Sequence, residues 1–178
     1  TAVLTIAAGN ALQNAASFSV TPANVSAENV DYDSAFFPKT ITFPAGSGIG
    51  AAQPVNITPA PDTLVEGSET VTLNLAIAGG AATLGAQTAH AVTILDADAA
   101  TVEFAVASQS IGEESVAPLT VLVRLVTSGN TLESQAQFNV IVASLGTAET
   151  ADFDFGSFPK LVTFAANNGN GASQPGVL

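Results

Sequence analysis

The sequence predicts an all-β protein built from antiparallel β-sandwiches in tandem. Three observations support this fold class. Apolar and polar residues alternate along much of the chain, clusters of turn-forming residues separate the alternating segments, and similar stretches recur after about 120 residues. Many short strands between turns are typical of a sandwich, and a period this long exceeds that of solenoid repeats and fits separate domains.

The alternation predicts strands with one face on the core and one face in water, because successive side chains of a strand point to opposite sides. Such half-buried strands are typical of antiparallel sheets. The clearest runs are Ile41/Phe43, Val71/Leu73/Leu75/Ile77, Val92/Ile94, Val102/Phe104/Val106, Val121/Val123/Leu125 and Phe138/Val140/Val142.

The segments between these runs are rich in glycine, asparagine and proline. Clear examples are residues 44–48, 79–80 and 167–171. Such residues favour turns, and no stretch combines the apolar spacing of a helix with a capping pattern. We therefore expect loops and hairpins between the strands.

The repeat is visible in two pairs of stretches. Residues 9–12 return as residues 129–132, a shift of 120, and residues 31–43 return as residues 152–164, a shift of 121. The second pair includes the shared segment Phe-Pro-Lys and two aspartates that flank an aromatic residue. Self-similarity at this period predicts two copies of one domain type.

The copies span about one and a half repeats. We predict a first unit at residues 1–98 that lacks its first strand, and a second unit at residues 99–178 that lacks its last strands. Two explanations stay open: the chain is a piece of a longer array, or neighbouring chains supply the missing strands. Because a sandwich without a strand exposes an unpaired edge, we expect neighbouring copies of the repeat or subunit to associate by strand addition.

Composition excludes several classes of function. The chain has 15 acidic and 3 basic residues and a formal net charge of -12, which repels nucleic acid and anionic membranes and attracts cations. No apolar run reaches the roughly 20 residues that span a bilayer, so we expect no membrane insertion in this segment. With no cysteine and one histidine, thiol catalysis is excluded and a catalytic triad is disfavoured. We expect no enzyme.

The positions of the acids point to a metal. Most of them lie beside predicted strands, in five clusters: Asp31/Asp33, Asp62/Glu66/Glu69, Asp96/Asp98, Glu113/Glu114 and Asp152/Asp154. Loops at one end of a sandwich can converge, and converging carboxylates repel one another unless a cation lies between them. Ca²⁺ takes six to eight oxygen ligands, so the clusters predict calcium as the cofactor.

Two motifs resemble the Calx-beta domain, the calcium-binding sandwich of sodium–calcium exchangers and of tandem arrays in integrins, matrix proteins and bacterial adhesins. The first is Asp62-Thr63-Leu64-Val65-Glu66-Gly67-Ser68-Glu69, and the second is Ile94-Leu95-Asp96-Ala97-Asp98. Asp31-Tyr32 and residues 41–46 are also similar to that family. The resemblance covers nearly the whole chain and implies immunoglobulin-like sandwiches that bind Ca²⁺.

The resemblance also implies the ligands. In the first unit these are the carboxylates of Asp31, Asp62, Glu66, Asp96 and Asp98 and the backbone carbonyl of Leu64; in the second unit they are the carboxylates of Glu114 and Asp152. Glu69 matches the motif, and its position favours a role in the loop. The chain has Ala97 where stronger binders of the family often carry a further acid, and neither unit holds a complete set, which implies a weak site.

Other interpretations of the acids stay open. Aspartates favour turns because they bond to their own backbone, which alone explains pairs such as Asp31/Asp33. The motif around Asp62 is also compatible with a solvated acidic loop. A glycosidase pair is disfavoured, because few aromatic residues are present to bind a sugar or raise the pKa of one acid.

The sequence thus predicts a non-enzymatic structural module of a tandem-repeat stalk, adhesin or filament, stiffened by Ca²⁺ at acidic interstrand loops. Its expected location is extracellular or at the cell surface. The alternative is a regulatory calcium-sensing module in which ion binding shifts a conformational equilibrium that a partner detects.

Overall fold

The computed structural model describes residues 1–115 and 117–177, and the predicted all-β class is confirmed. Leu178, the last residue of the predicted second unit, lies outside the described residues. The strands are β1 (Ala2–Val3), β2 (Ala16–Asn24), β3 (Lys39–Phe43), β4 (Ala52–Gln53), β5 (Leu64–Val65), β6 (Glu69–Gly79), β7 (Ala89–Ile94), β8 (Ala100–Phe104), β9 (Thr120–Thr127), β10 (Thr131–Leu132), β11 (Ala136–Val140), β12 (Lys160–Phe164) and β13 (Ser173–Val177). Short 3-10 helices span Ser34–Phe36 and Phe155–Ser157.

The chain divides into two compact units. Unit 1 comprises Thr1–Asp62 and Ser68–Leu95, and unit 2 comprises Thr63–Gly67 and Asp96–Leu178. The segment Thr63–Gly67 belongs to unit 2 because its strand β5 pairs in parallel with β10.

Unit 1 is built on an antiparallel sheet in the order β3-β2-β6-β7, together with the antiparallel pair of β1 and β4. The buried side chains of Phe18, Val20 and Phe43 alternate with more exposed residues along β2 and β3, as the sequence pattern requires. Phe18 and Phe43 meet edge to face, with ring centroids 6.1 Å apart. Burial of each such side chain stabilises the unit by about 1.5–3 kcal/mol.

A second apolar cluster in unit 1 lies between β6 and the segment that follows β2. Val71 of β6 is fully buried and belongs to this cluster with Ala27 and Tyr32. The Tyr32 hydroxyl donates a hydrogen bond of 2.7 Å to Oδ1 of Asn24. Burial raises the pKa of Tyr32, and the nearby Asp31 and Asp33 carboxylates raise it further. The strand β6 thus anchors the segment that carries the first acidic cluster.

Unit 2 contains the antiparallel sheet β13-β9-β8, the antiparallel pair of β11 and β12, and the short parallel pair of β5 and β10. Among the described residues, its core cluster contains five buried side chains: Val123, Leu125, Leu132, Val162 and Phe164. Phe138 of β11 packs against this core and meets Phe164 edge to face at 6.2 Å.

The two units repeat the same backbone hydrogen bonds. The Leu4 amide donates to the Ala51 carbonyl at 2.8 Å, and the Leu125 amide donates to the Ala172 carbonyl at 2.8 Å. The loop after β3 has a counterpart after β12. The Leu12 amide donates to the Ser47 carbonyl and the Leu132 amide donates to the Asn168 carbonyl, each at 2.9 Å. The sequence repeat is therefore also a repeat of local structure.

The units differ in the strands around this shared framework. In unit 1, β2 pairs with β3 on one side and with β6 on the other. In unit 2, the equivalent strand β11 pairs only with β12 among the described residues. The alternating runs at Val106 and Val142 extend beyond the strands that they predicted, because β8 ends at Phe104 and β11 ends at Val140.

The turn after β6 requires glycine at position 80. Gly80 has φ +91°, and a Cβ at this position would lie 2.5 Å from the carbonyl oxygen of Ala15 and 2.7 Å from Cα of Ala16. We expect Gly80→Ala to destabilise the chain by about 1–3 kcal/mol, measured by urea unfolding, because the substitution combines backbone strain with a clash. Gly79→Ala is the matched control, since a Cβ there meets nothing within 4 Å. Equal losses in both variants would contradict this explanation.

Candidate metal centre

The first acidic cluster lies in a turn that follows β2. Asp31 is buried, at 6% exposure, and its Oδ2 accepts a hydrogen bond from the Glu28 amide. The Asp31 carbonyl accepts a bond of 2.8 Å from the Ala60 amide. This is the backbone-bonding turn expected of aspartate, so part of the cluster has a structural role.

The turn is held in place by the start of β6. Amides of Val25 and Ser26 each donate to the Thr70 carbonyl at 3.1 Å, and the Thr70 amide donates to Oγ of Ser26 at 2.8 Å. Because Thr70 follows Glu69 directly, these bonds fix the acidic turn beside the acidic beginning of β6. The buried position of Asp31 therefore depends on the presence of β6.

Three carboxylates come together at this point. Asp31, Glu66 and Glu69 each place one oxygen within 4.8 Å of the others. At that separation two unit charges near a protein surface repel by about 3 kcal/mol before screening by salt. Three carboxylate oxygens are suitable ligands for a hard divalent cation, and Ca²⁺ would require further oxygens from carbonyls or water. Among the described residues, no other histidine or acidic side chains form a group of three with this spacing.

Asp33 has a structural role instead. Its Oδ2 accepts a 2.8 Å hydrogen bond from Nζ of Lys39, and its Oδ1 accepts a 2.9 Å bond from the Thr58 amide. These bonds and the positive charge hold the pKa of Asp33 below its usual range. The Lys39 ammonium also lies 4.4 Å from the centroid of the Phe37 ring. Asp33 therefore links the turn that carries it to Lys39 and to the backbone at Thr58.

Asp96 joins two of the predicted motifs in unit 2. Its Oδ2 accepts a 2.6 Å hydrogen bond from the Glu66 amide, and its Oδ1 accepts a 2.8 Å bond from the Asp98 amide. Both oxygens of this predicted ligand are therefore used by backbone donors. Asp96 fixes the segment around Glu66 and the segment that ends at Asp98 relative to each other.

The predicted ligands next to Glu66 lie in the short segment before β6. Leu64 forms part of β5, and the carbonyls of its neighbours Thr63 and Val65 accept bonds from the amides of Thr131 and Glu133 at β10. Because carbonyls alternate along a strand, the Leu64 carbonyl points away from β10. Asp62 precedes this strand and is exposed.

The two ligands predicted in the second repeat are exposed. Asp152 repeats the turn of Asp31, with Oδ2 accepting a 2.7 Å bond from the Glu149 amide. Glu114 is exposed too, and neither residue belongs to a group of three potential metal ligands among the residues that the structure describes. The turn therefore recurs in both units, and the carboxylate group of three does not.

Glu69 is the member of this group that sequence reasoning left out of the ligand set. The motif suggested a role in the loop, because nothing in a linear pattern shows which way the first residue of a strand points. The signal that could have found it is the alternation in β6, which assigns Glu69 to the same face as the buried Val71, at the beginning of the strand.

Comparison with known proteins identified no relative: no family model, curated protein or solved structure matches this chain. Among the described residues, no helix has the length and apolar character needed to cross a membrane.

The ion pair between Asp33 and Lys39 predicts a dependence of stability on pH. Because the pKa of Asp33 is lowered from 3.8 on folding, its charged form stabilises the fold above pH 3.8, and this contribution is lost as the pH falls through the folded-state value. We expect Asp33→Asn to lower the free energy of unfolding at neutral pH and to reduce its decline below about pH 4. Urea unfolding at several pH values measures both effects.

Asp154→Asn is the matched control, because Asp154 occupies the equivalent position in unit 2 and is exposed. An Asp33→Asn chain with an unchanged pH profile would contradict this role for the ion pair.

Proposed function

We propose that this chain is a non-enzymatic structural module of a tandem-repeat extracellular stalk, adhesin or filament. In this proposal Ca²⁺ binds at the acidic turn that carries Asp31 and stiffens the module. The observation that carries the proposal is the group formed by Asp31, Glu66 and Glu69, because three carboxylates this close favour a bound cation.

The repeated framework supports a tandem module. The pairing of β2 with β3 recurs as that of β11 with β12, and loop bonds and edge-to-face aromatic contacts recur as well, with ring distances of 6.1 Å for Phe18–Phe43 and 6.2 Å for Phe138–Phe164. The shared framework consists of apolar contacts and backbone hydrogen bonds, as expected of a module whose role is structural. Immunoglobulin-like topology of the Calx-beta type remains part of this proposal.

The charge balance supports the role of calcium. A net charge of -12 produces a field that concentrates cations around the module. The Asp31 turn is held by Glu28 and Ala60 amides, so its carboxylate does not need to be ordered when an ion binds. Pre-ordered ligands reduce the entropic cost of binding.

An extracellular or cell-surface location fits the composition. The chain has no cysteine or methionine, the two residues whose sulfur is most readily oxidised. Extracellular calcium modules bind the ion with dissociation constants of about 10⁻⁴–10⁻³ M, which suits a site with three clustered carboxylates and ligands from water.

Calcium binding at this site predicts a thermal effect. At a tenfold excess of Ca²⁺ over its Kd, we expect a stabilisation of about 1.4 kcal/mol and a rise in Tm of roughly 3–6 °C, relative to the protein in chelator. Calorimetry with Ca²⁺, Mg²⁺ and chelator measures the shift. Mg²⁺ at equal ionic strength separates specific binding from screening, because its smaller ion requires stricter octahedral geometry.

Asp31→Asn and Glu69→Gln should each remove most of the calcium-dependent rise. Asp152→Asn is the matched control: it removes the same charge from the same hydrogen-bonded turn, outside the carboxylate group. A Tm that Ca²⁺ does not change, or an undiminished rise in Asp31→Asn and Glu69→Gln, would contradict the proposed calcium site.

A further inference from the structure

Unit 1 shows what covers the edge that unit 2 leaves open. In unit 1, β6 pairs with β2 from Ser17 to Asn24 and sets Val71 and Leu73 into the core. In unit 2, the equivalent strand β11 has β12 on one side and no strand on the other among the described residues. The open side of β11 is the side that β6 occupies in the first repeat.

Equivalent side chains of β2 and β11 differ in burial in the same way. Phe18 and Val20 of β2 are buried at 5% and 4% exposure, whereas Phe138 and Val140 of β11 are only partly buried. The strands also differ in length, because β2 continues to Asn24 and β11 ends at Val140. The strand with a neighbour on each side, β2, is thus the longer of the two and buries more of its apolar face.

A groove in unit 2 marks the uncovered region. It has a volume of about 1050 Å³, and its lining includes Phe104, Val121, Val140, Phe153 and Phe158. Three of these lining residues, Val140, Phe153 and Phe158, are equivalent to Val20, Tyr32 and Phe37 of unit 1. Those unit 1 residues belong to, or pack against, the clusters that contain Leu73 and Val71 of β6.

We propose that this groove accepts a strand with the sequence pattern of β6, supplied by another copy of this repeat. The occupant extends the β11–β12 pair as an antiparallel third strand, in the mode of strand addition at a sheet edge. Its alternate apolar residues fill the groove as Val71, Leu73 and Leu75 fill the core of unit 1. Because β6 of unit 1 pairs with β2, the occupant is the equivalent strand of another copy of the repeat.

The pairing in unit 1 defines the register. Ser19 lies opposite Ala76 and Val20 lies opposite Leu75. With the repeat shift of 120 residues, Asn139 of β11 then lies opposite Ala76 of the incoming strand, and Val140 lies opposite Leu75. Asn139 and Ala76 are both exposed on the outer face of their strands.

A peptide of residues 70–79 tests the proposal with the full chain. In unit 1 Glu69 lies beside Asp31, and Asp152 is the equivalent of Asp31 in unit 2. The peptide omits Glu69, so this repulsion between carboxylates is avoided and binding is expected in chelator as well as in Ca²⁺. We expect saturable binding by one peptide per chain, measured by fluorescence anisotropy. A peptide of the same composition without the alternation should bind at least about tenfold more weakly, because its apolar side chains no longer share one face.

Disulfide trapping tests the register, since the natural chain has no cysteine. Asn139→Cys should form a disulfide with a peptide that carries Ala76→Cys, because directly opposed residues in antiparallel strands have the Cα separation that a disulfide requires. Thr72→Cys in the peptide is the matched control, since it lies on the same face and four residues away.

Saturable binding together with selective trapping of the Ala76→Cys peptide supports the acceptor groove. Failure to bind, equal affinity of the rearranged peptide, or equal trapping at positions 72 and 76 would overturn it. Because the peptide assay proceeds in chelator, a failed calcium site and a failed acceptor groove are distinguishable.

Discussion

The pairing of β2 with β6 is the interaction on which the structure of unit 1 depends. It buries the apolar face of β2, sets Val71 at 0% exposure among Ala27 and Tyr32, and extends β2 to Asn24. The same strand accepts amides of Val25 and Ser26 at the Thr70 carbonyl, which holds the acidic turn against the start of β6. Hydrophobic packing and the positions of Asp31 and Glu69 therefore both depend on one strand pairing.

Unit 2 shows the same framework without this pairing. Its turn at Asp152 keeps the hydrogen bond to the Glu149 amide, which is a local interaction, but the carboxylate is exposed where Asp31 is buried. Local hydrogen bonds thus form the turn in both units, whereas its burial requires a distant strand. The comparison separates what the turn sequence specifies from what the surrounding sheet adds.

The strands were largely predictable from the sequence, because alternation has a direct physical meaning. Val71 and Leu73 were predicted on a buried face and are buried, but Ile77 of the same run is 51% exposed, although it lies opposite the buried Phe18. The predicted runs at Val106 and Val142 also reach past the ends of their strands. Alternation shows that a residue is suited to burial, and the neighbouring strands decide whether it is buried.

The candidate site was predictable in outline only. Clusters of acids and their motif identified the loops, and the structure brings Asp31 and Glu66 into one group. The sequence could not show that Asp33 pairs with Lys39, or that both oxygens of Asp96 accept backbone amides, because these depend on contacts between segments distant along the chain. It also did not reveal Glu69 as the third carboxylate.

If β6 is what completes the sheet around β2, the amides on the two edges of each central strand should differ in protection from hydrogen exchange. Native-state exchange resolved by residue measures this directly in the monomeric chain. In β2, amides directed to β3 and amides directed to β6 should both exchange slowly. In β11, amides directed to β12 should be protected, and alternate amides on the open edge should exchange quickly. Uniform protection along β11, equal to that of β2, would contradict the central role of the β2–β6 pairing.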